Sequence, residues 1–548
     1  MTIEYNIVLK NAYIADGSGT PLYRADIGIT GDTITSIGEI PGSKADKVID
    51  CSGLVVSPGF IDMHSHSDMT LLVMPESLSK IMQGVTTEVV GNCGISPGPV
   101  EKTRLSLLKE YINSFFASLG DRLPWSWKSL NEYYVFLEQN GIAVNIVPLV
   151  GHGSLRIAVM GVEDRSPSRD ELDEMIALLE EEVKDASWGM STGLVYPPGI
   201  YSDTSELIEL SSAMRRYNGL YFSHIRNEGD LVAEAIREAI EIGAKSSVAV
   251  EISHLKIMGR NNWGRSREIS RLIEDARENG VNVDADMYPY TAGQTGLYAL
   301  LPPWAQEGGI NEMLARISRP EYREKIIDAW KTRGKERWQN WVYEIGWSNI
   351  ILAYTASEKY KVYEGKSFEE ISRATGTDPY QLAFDILLDS EGSTSIILFY
   401  GSESDLEYFL TRPWTTIGSD HVGLRPDAEI GSAQHPRAYG TFPRILARYV
   451  REKGVLGLTD AVRKMTFQAA RKLGLRDRGL VYPGFKADLV VFDMHEIADQ
   501  ASYKEPHRFP KGIKYVIVNG RIVVENGEYN GEKPGRVLRR GRESFNSI

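Results

Sequence analysis

Along most of this 548-residue chain, short apolar runs alternate with longer segments in which apolar positions recur every three or four residues. Runs such as IAVNIVPLV (142–150) are typical of buried strands, whereas SRDELDEMIALLEEEVKDA (168–186) has the helical period. Ser168 and Glu171 have the spacing of a capping box and predict where that helix starts. The strand-like runs are GFIDMH, TTEVVGN, IAVNIVPLV, WGMSTGLVY, LYFSH, SVAVEISH, VNVDADMYPY and TTIGSD. Eight such strands, mostly followed by helices, predict an α/β fold with a parallel sheet, most simply a (β/α)₈ TIM-like barrel.

Both ends of the chain have a different pattern. Residues 5–60 show short strand-like runs separated by turns that contain Gly, Asp and Pro. Near the other end, ADLVVFD is followed by KYVIVNGRIVVENGE, in which Asn519 and Gly520 predict a type I′ hairpin. We expect one small β-sandwich built from both termini; two independent end domains are the alternative.

The predicted domains follow from these two patterns. Residues 1–60 form the N-terminal part of the β-sandwich, 61–478 the catalytic barrel, and 479–548 the C-terminal part of the sandwich and a tail. Within the barrel, an insertion at about 291–413 separates strands seven and eight, far longer than an ordinary crossover, and its pattern is largely helical. Because it leaves the C-terminal end of strand seven, it is either a lid or pocket wall at that mouth, or an inert excursion packed outside the barrel.

Composition narrows the range of possible functions. Hydrophobic residues make up 42% and charged residues 25%, which is ordinary soluble usage. A net charge of −13 argues against nucleic-acid binding, which needs an excess of Lys and Arg. Two cysteines, Cys51 and Cys93, exclude a disulfide framework and favour a reducing compartment. No signal peptide is evident and no apolar run approaches the ~20 residues of a membrane helix, so we expect a cytoplasmic protein without a membrane partner.

Five of the strand-like runs carry a metal-type ligand at or just past their C-terminal end. In a barrel of parallel strands these ends meet at one mouth. His64 and His66 are two residues apart, so on a strand both side chains point to the same face and can bind one ion. The candidate metal ligands are His64, His66, Cys93, His224, His254 and Asp420.

For some of these candidates, a residue without a direct role at the site is the alternative interpretation. Cys93 lies between glycines past strand two, where a metal would lower the pKa of its thiol until the proton is lost; a buried inert thiol is the alternative, and it is our interpretation of Cys51. Asp420 ends strand eight, where a carboxylate can bind the metal and also accept a proton from water, so we predict it as the catalytic residue. His152, after strand three, either lines the mouth or has no direct role.

Several longer motifs carry a family resemblance over nearly the whole chain. They are SPGFIDMHSHSD, GVTTEVVGNCG, STGLVYPPG, SHLK, DMYPYTAG, IGSD, HPRAYGTFPR and PGFKADLVVFD. Together they resemble the amidohydrolase superfamily and, within it, the D-aminoacylase (N-acyl-D-amino-acid deacylase) family. The resemblance implies a (β/α)₈ barrel, a β-sandwich from both chain ends, an insertion near the active site, and zinc-dependent hydrolysis of N-acyl-D-amino acids to a carboxylate and a free D-amino acid.

The resemblance also implies roles for single residues, with one or two zinc ions per subunit. His64, His66 and Asp420 match one zinc position; His224 and His254 match the second, with Cys93 as its thiolate ligand and a candidate bridge between the two. Lys256 and Tyr288 match positions that hold the substrate's α-carboxylate, and Tyr196 matches a residue near the reacting carbonyl. A solvated lysine and a packing ring are the alternatives for Lys256 and Tyr288.

Two departures from the family pattern affect the expected substrate. His421 follows Asp420 where the family often has glycine, which crowds the mouth or adds a polar group. The segment AGQTGLYALLPPW after strand seven carries no Arg or Lys, so we predict a preference for apolar D-residues such as leucine, methionine or phenylalanine.

Two other functions remain open alongside the deacylase. Hydantoinase- and dihydroorotase-type relatives, which hydrolyse cyclic amides, bridge their metals with a carboxylated lysine on strand four, but WGMSTGLVY has no lysine. A non-catalytic protein of the same fold typically lacks some ligands, whereas all are present here. Stereoselectivity rests on the resemblance alone; the native metal, its occupancy and the oligomeric state stay open.

Overall fold

The eight predicted strands form a ring of parallel strands in the computed structural model, which describes residues 4–41, 44–116, 119–335, 337–427 and 434–540. Their sequences are almost entirely buried, in agreement with continuous apolar runs covered on both faces. The strands are Phe60–Asp62, Val85–Val90, Asn145–Pro148 continued by Val150–Gly151, Gly189–Gly193, Leu220–His224, Ala249–Ile252, Val283–Met287 and Thr415–Ile417.

Each strand pairs in parallel with its neighbour along the chain, and the last returns to the first. The third strand is interrupted at Leu149, whose N–H donates to Val90 O at 2.9 Å and so keeps the connection to strand two. The ring closes where Met63 N–H donates to Ile417 O at 3.1 Å, joining strands one and eight. The predicted barrel is therefore confirmed.

Helices separate the strands along the chain. The helix predicted from Ser168 begins at Arg169, and both hydrogen bonds of its capping box with Glu171 are present. In the described ranges, none of the helices is both long and apolar enough to cross a bilayer. The α-helices of this part are Leu78–Ile81, Leu105–Phe116, Leu119–Arg122, Leu130–Asn140, His152–Val159, Arg169–Asp185, Thr204–Met214, Val232–Ser246, Ser266–Glu278, Glu403–Leu410, Arg437–Arg444, Leu458–Met465 and Phe467–Leu473, with a π-helix at Ile445–Glu452.

Strands from the two chain ends join in one nine-stranded sheet. The junction is the antiparallel pair of Val55–Pro58 with Leu489–Phe492. The predicted hairpin is confirmed, because Asn519 and Gly520 both have positive φ (46° and 76°), as a type I′ turn requires. The layering of a β-sandwich and the domain boundaries at 60 and 478 stay predictions. In sheet order the strands are Glu528–Tyr529, Arg521–Glu525, Ile513–Val518, Leu489–Phe492, Val55–Pro58, Tyr5–Ile14, Tyr23–Thr30 and Thr33–Gly38, with Ala45–Asp50 on Tyr5–Ile14.

The insertion between strands seven and eight contains helices, as its pattern predicts, and in addition a small antiparallel sheet that the sequence analysis missed. The strands of this sheet are Ala292–Gly296, Ile350–Thr355 and Thr394–Phe399, with Thr394–Phe399 in the middle. The helices are Pro303–Gln306, Ile310–Ile317, Pro320–Trp330, Trp341–Ile345, Phe368–Thr375 and Pro379–Asp389.

Candidate metal centre and active site

The structure brings the six candidate metal ligands together at the C-terminal mouth of the barrel. His224 is the last residue of strand five, and the others lie within a few residues of the ends of strands one, two, six and eight. Two groups of ligand atoms, each with all members within 4.8 Å of one another, share the Cys93 sulfur. The groups are His64, His66, Cys93 and Asp420, and Cys93, His224 and His254.

Cys93 lies at the centre of this arrangement. Its Sγ is 3.3 Å from His64 Nε2, 3.6 Å from His224 Nδ1 and 3.4 Å from His254 Nε2. On the other side, Asp420 Oδ1 is 3.3 Å from His66 Nε2 and 3.5 Å from His64 Nε2. Thiolate, imidazole and carboxylate are the donors that zinc prefers, so this donor set fits one or two divalent transition-metal ions.

The backbone at three of these residues is unusual. Cys93, His254 and Asp420 have φ values of 52°, 36° and 51°, in the left-handed region that non-glycine residues rarely adopt. Such conformations cost about 1–3 kcal/mol each and concentrate at functional sites. We infer that the fold holds these three side chains in the mouth against a local preference.

Charge and burial set the protonation of the ligands. Burial lowers the pKa of the His224 and His254 imidazoles well below the ordinary value, so both are neutral and can offer a lone pair. Burial by itself would raise the pKa of the Asp420 carboxyl, but the Arg437 guanidinium and the neighbouring histidines hold it well below its usual range. Asp420 is therefore an ionised carboxylate at neutral pH.

Buried carboxylates behind the mouth orient the ligand-bearing loops. Asp286 Oδ1 accepts from His254 N–H at 2.9 Å and lies 3.5 Å from His64 Nδ1. Asp62 Oδ1 accepts from the N–H groups of His64 at 3.2 Å and Ser419 at 2.8 Å, and so joins the two loops that carry His64 and Asp420. Asp62 in turn pairs with the fully buried Lys80 at 2.7 Å. The sequence analysis missed these positions, although a charged residue inside an apolar run was a usable signal.

A cavity opens over the ligands. Residues from the insertion, including Gly293, Gly296, Trp341 and Leu398, form part of its wall. Of the two interpretations of the insertion, the structure therefore supports the pocket wall.

The three predicted substrate-binding residues all line this cavity. Lys256 Nζ lies 2.7 Å from His254 Nδ1 and forms an ion pair with Glu228. The Tyr288 hydroxyl hydrogen-bonds with the Tyr400 hydroxyl at 2.7 Å, and the Lys256 ammonium lies 5.6 Å from the centre of the Tyr288 ring. The Tyr196 ring is 5.2 Å from the ring of His224. Lys256 is therefore not the solvated lysine of the alternative interpretation, whereas the substrate-binding role of Tyr288 stays a prediction.

Arg437 is a cavity residue to which the sequence analysis assigned no role. Its Nη1 donates to Asp420 Oδ2 at 2.7 Å, and its guanidinium lies 4.7 Å from the centre of the Tyr288 ring. Its Nε is buried and has no hydrogen-bond partner within the described part of the chain. A buried cation with a free donor beside a cavity is suited to an anionic group. Arg437 stands in HPRAYGTFPR, one of the motifs that carry the family resemblance, which was the available signal.

Two further histidines are placed differently from the ligands. His152 is buried, its Nε2 lies 2.8 Å from Glu206 Oε1, and it is not among the residues that line the cavity, so whether it has a role at the mouth stays open. His421 does line the cavity, and its Nδ1 accepts from Val422 N–H at 2.9 Å. It therefore adds a buried polar ring to the mouth.

Comparison with known proteins agrees with this geometry. A family model described as the amidohydrolase family matches residues 47–332 and 357–524. A curated D-aminoacylase from Alcaligenes xylosoxydans xylosoxydans is 36% identical over 540 residues, which cover 98% of this chain and 98% of the relative.

Solved structures show the same relationship. The N-acyl-D-glutamate deacylase of Bordetella bronchiseptica, crystallised with zinc and a phosphonate mimic of the tetrahedral intermediate, superposes with a TM-score of 0.81 at 32% identity, covering 98% of this chain and 100% of that one. A D-aminoacylase described as having a binuclear metal center, with one-metal activation and second-metal attenuation, gives a TM-score of 0.79 at 34% identity with the same coverage.

Proposed function

The chain belongs to the amidohydrolase family, and from this membership together with the geometry of the mouth we propose that it hydrolyses the amide bond of N-acyl-D-amino acids. The products are a carboxylate and the free D-amino acid. The observation that carries the proposal is a set of six metal-type ligands centred on Cys93, directly beside a cavity with two buried cations, Lys256 and Arg437.

The proposed cofactor is zinc, one or two ions per subunit. His64, His66 and Asp420 would hold one ion, His224 and His254 the other, and Cys93 is within reach of both groups. When bound, the metal polarises the amide carbonyl and lowers the pKa of the attacking water. The zinc in the related N-acyl-D-glutamate deacylase supports this assignment.

Asp420 is the proposed catalytic base and acid. Its carboxylate is ionised and lies at the edge of the cavity, so it can take a proton from water and pass it to the leaving nitrogen. Arg437 holds Oδ2 at 2.7 Å and thereby orients the carboxylate. The Arg437 guanidinium also stabilises the ionised form of the Asp420 carboxylate beside the cavity.

Lys256, Tyr288 and Arg437 form the proposed site for the substrate's α-carboxylate. Two cations and a hydroxyl converge on one side of the cavity, next to His254 and Asp420. Charge-assisted hydrogen bonds of this type are roughly twice as strong as neutral ones. The α-carboxylate would thus fix the amide beside the metal ligands, with Tyr196 near the reacting carbonyl.

The cavity wall near the proposed α-carboxylate site favours a substrate with an apolar side chain. Met258, Trp341 and Leu398 line the cavity, and among the described residues its lining contains no Lys or Arg besides Lys256 and Arg437. Because both of these cations are assigned to the α-carboxylate, an acidic side chain would have no further cation to pair with. We therefore infer a preference for D-leucine, D-methionine or D-phenylalanine derivatives.

A chiral panel of N-acetyl amino acids tests the proposal on zinc-loaded protein. We expect turnover of N-acetyl-D-leucine, at least 10²-fold slower turnover of N-acetyl-L-leucine, and lower kcat/KM for N-acetyl-D-glutamate than for the D-leucine derivative. Product release measured by a free-amine assay checks all three. Turnover of hydantoin instead of the linear amides would show a cyclic-amide hydrolase, and a clear preference for the glutamate derivative would contradict the apolar pocket.

Cys93→Ala tests the sulfur at the centre of the site. Because both ligand groups include this Sγ, we expect the variant to retain less zinc after dialysis than the parent protein. Cys51→Ala is the matched control, since Cys51 is the second buried free cysteine and lies in the nine-stranded sheet region. Elemental analysis gives the readout; equal zinc content in the Cys93 variant and the parent would make Cys93 an inert core thiol.

A further inference from the structure

A second cavity lies behind the wall of the active-site cavity. It is lined mainly by apolar and aromatic side chains, among them Tyr111, Tyr298, Ile310 and Met313. None of the six candidate metal ligands lines it. It therefore offers apolar space without chemistry of its own.

Phe115 lies between residues that line the two cavities. It lines the active-site cavity, and its ring is 4.9 Å from that of Tyr196 on the same side. Its ring is also 5.4 Å from Tyr111 and 5.9 Å from Tyr298, which both line the second cavity. The adjacent Ser114 lines the second cavity; its hydroxyl donates to Tyr111 O at 2.7 Å, and its Oγ lies 3.1 Å from the Tyr298 hydroxyl.

Aromatic rings next to Phe115 contact two of the metal ligands. The Phe116 ring is 5.8 Å from His66 and the Tyr196 ring is 5.2 Å from His224. The cations lie instead beside His254 and Asp420. The aromatic rings thus contact His66 and His224, whereas Lys256 contacts His254 and Arg437 contacts Asp420.

The connectivity of the substrate then decides which group meets these aromatic rings. In an N-acyl amino acid the α-carboxylate and the side chain share one carbon, and the acyl chain lies across the amide from both. With the carboxylate held by Lys256 and Arg437 and the amide at the metal ligands, the acyl chain points towards Phe115 and Tyr196. Each methylene that a closed apolar pocket cannot accommodate changes kcat/KM by roughly 10- to 200-fold.

We propose that Phe115 is the residue that sets acyl-chain length, a conclusion that rests on the proposed deacylase function. Its ring closes the acyl side, so the protein takes short acyl groups such as acetyl. Removal of the ring joins the two cavities, and the second cavity then receives acyl chains of about six carbons in its apolar space.

Phe115→Ala is the direct test, with N-acetyl-, N-butyryl- and N-hexanoyl-D-leucine as substrates. In the parent protein kcat/KM falls as the chain lengthens. In the variant the hexanoyl-to-acetyl ratio of kcat/KM rises at least tenfold, and hexanoate, one of the products, binds more tightly by calorimetry. An unchanged ratio with acetyl turnover retained overturns the proposal, as does a parent protein that accepts hexanoyl as readily as acetyl. Phe115→Leu gives a smaller rise and serves if the alanine variant does not fold.

Ile310 provides the matched controls because it lines the second cavity only. Ile310→Ala enlarges that cavity behind an intact Phe115 ring, so the acyl ratio stays as in the parent. Adding Ile310→Trp to Phe115→Ala fills the second cavity and returns the hexanoyl-to-acetyl ratio of kcat/KM towards the parent value. A ratio that stays high in the double variant overturns the role of the second cavity. If the parent turns over none of the N-acyl-D-amino acids, the proposed function itself fails and this inference with it, which is distinct from acetyl turnover with an unchanged ratio.

Discussion

Asp420→Asn is expected to lower kcat for N-acetyl-D-leucine by roughly 10³-fold with the fold intact, since positioned acid–base groups contribute about 10²–10⁴-fold. The amide has the shape of the carboxylate but cannot accept a proton from water. It also leaves Arg437, which donates to Asp420 Oδ2 at 2.7 Å, without an anionic partner. Steady-state kinetics with zinc-loaded protein gives the measurement, and circular dichroism checks the fold.

Metal content separates the two roles of Asp420. The group of Cys93, His224 and His254 does not include Asp420, so the variant should retain at least one zinc ion per subunit. Asp427→Asn, the same change at an exposed ion pair seven residues later, should leave kcat unchanged. A nearly normal kcat in Asp420→Asn would exclude it as the proton carrier, and loss of all zinc would make it primarily a ligand.

The barrel and the ligand positions were predictable because both depend on local pattern. Apolar runs at a strand period, each bounded by a turn, became the eight strands, and the capping box at Ser168 marked a real helix start. Once the strands are parallel, the ends that carry His64, Cys93, His224 and Asp420 must meet at one mouth. The convergence of these side chains then follows from topology, without knowledge of any distance.

The insertion was only partly predictable because its sheet is built from distant segments. The strand Ala292–Gly296 pairs with Thr394–Phe399, about 100 residues later, and has the sequence AGQTG, in which two of the five residues are glycine and only Thr295 is a residue typical of strands. Its extended form is imposed by the partner strand. The sequence pattern therefore showed the helices of the insertion and not its sheet.

Arg437 escaped prediction for a similar reason. It lies on the helix Arg437–Arg444, seventeen residues after Asp420, and nothing in local spacing indicates that its guanidinium reaches back to the mouth. An arginine in a helix is usually solvated, whereas this one is only 4% exposed. Its position in the site depends on how the helix Arg437–Arg444 packs against the strand ends, which the sequence pattern does not predict.

Arg437→Met is expected to lower kcat/KM for N-acetyl-D-leucine by about 10²–10³-fold, since truncation of one partner of a buried, hydrogen-bonded charge pair costs about 2–5 kcal/mol in binding and each 1.4 kcal/mol is about tenfold. The substitution removes the cation and the free Nε donor that we assign to the α-carboxylate. Arg437→Lys keeps the charge but not the planar fork, so an intermediate loss is expected.

A substrate without the carboxylate distinguishes binding from an indirect effect through Asp420. Arg437 touches both the proposed carboxylate site and Asp420, so a fall in activity alone does not show which contact matters. If Arg437 binds the α-carboxylate, the parent protein prefers N-acetyl-D-leucine to N-acetyl-D-leucinamide and Arg437→Met abolishes most of that preference. If it acts only on Asp420, both substrates lose activity equally. Arg444→Met is the matched control, because Arg444 lies on the same helix, pairs with Asp499 at 2.9 Å and does not line the cavity, so it should leave the acid-to-amide ratio unchanged.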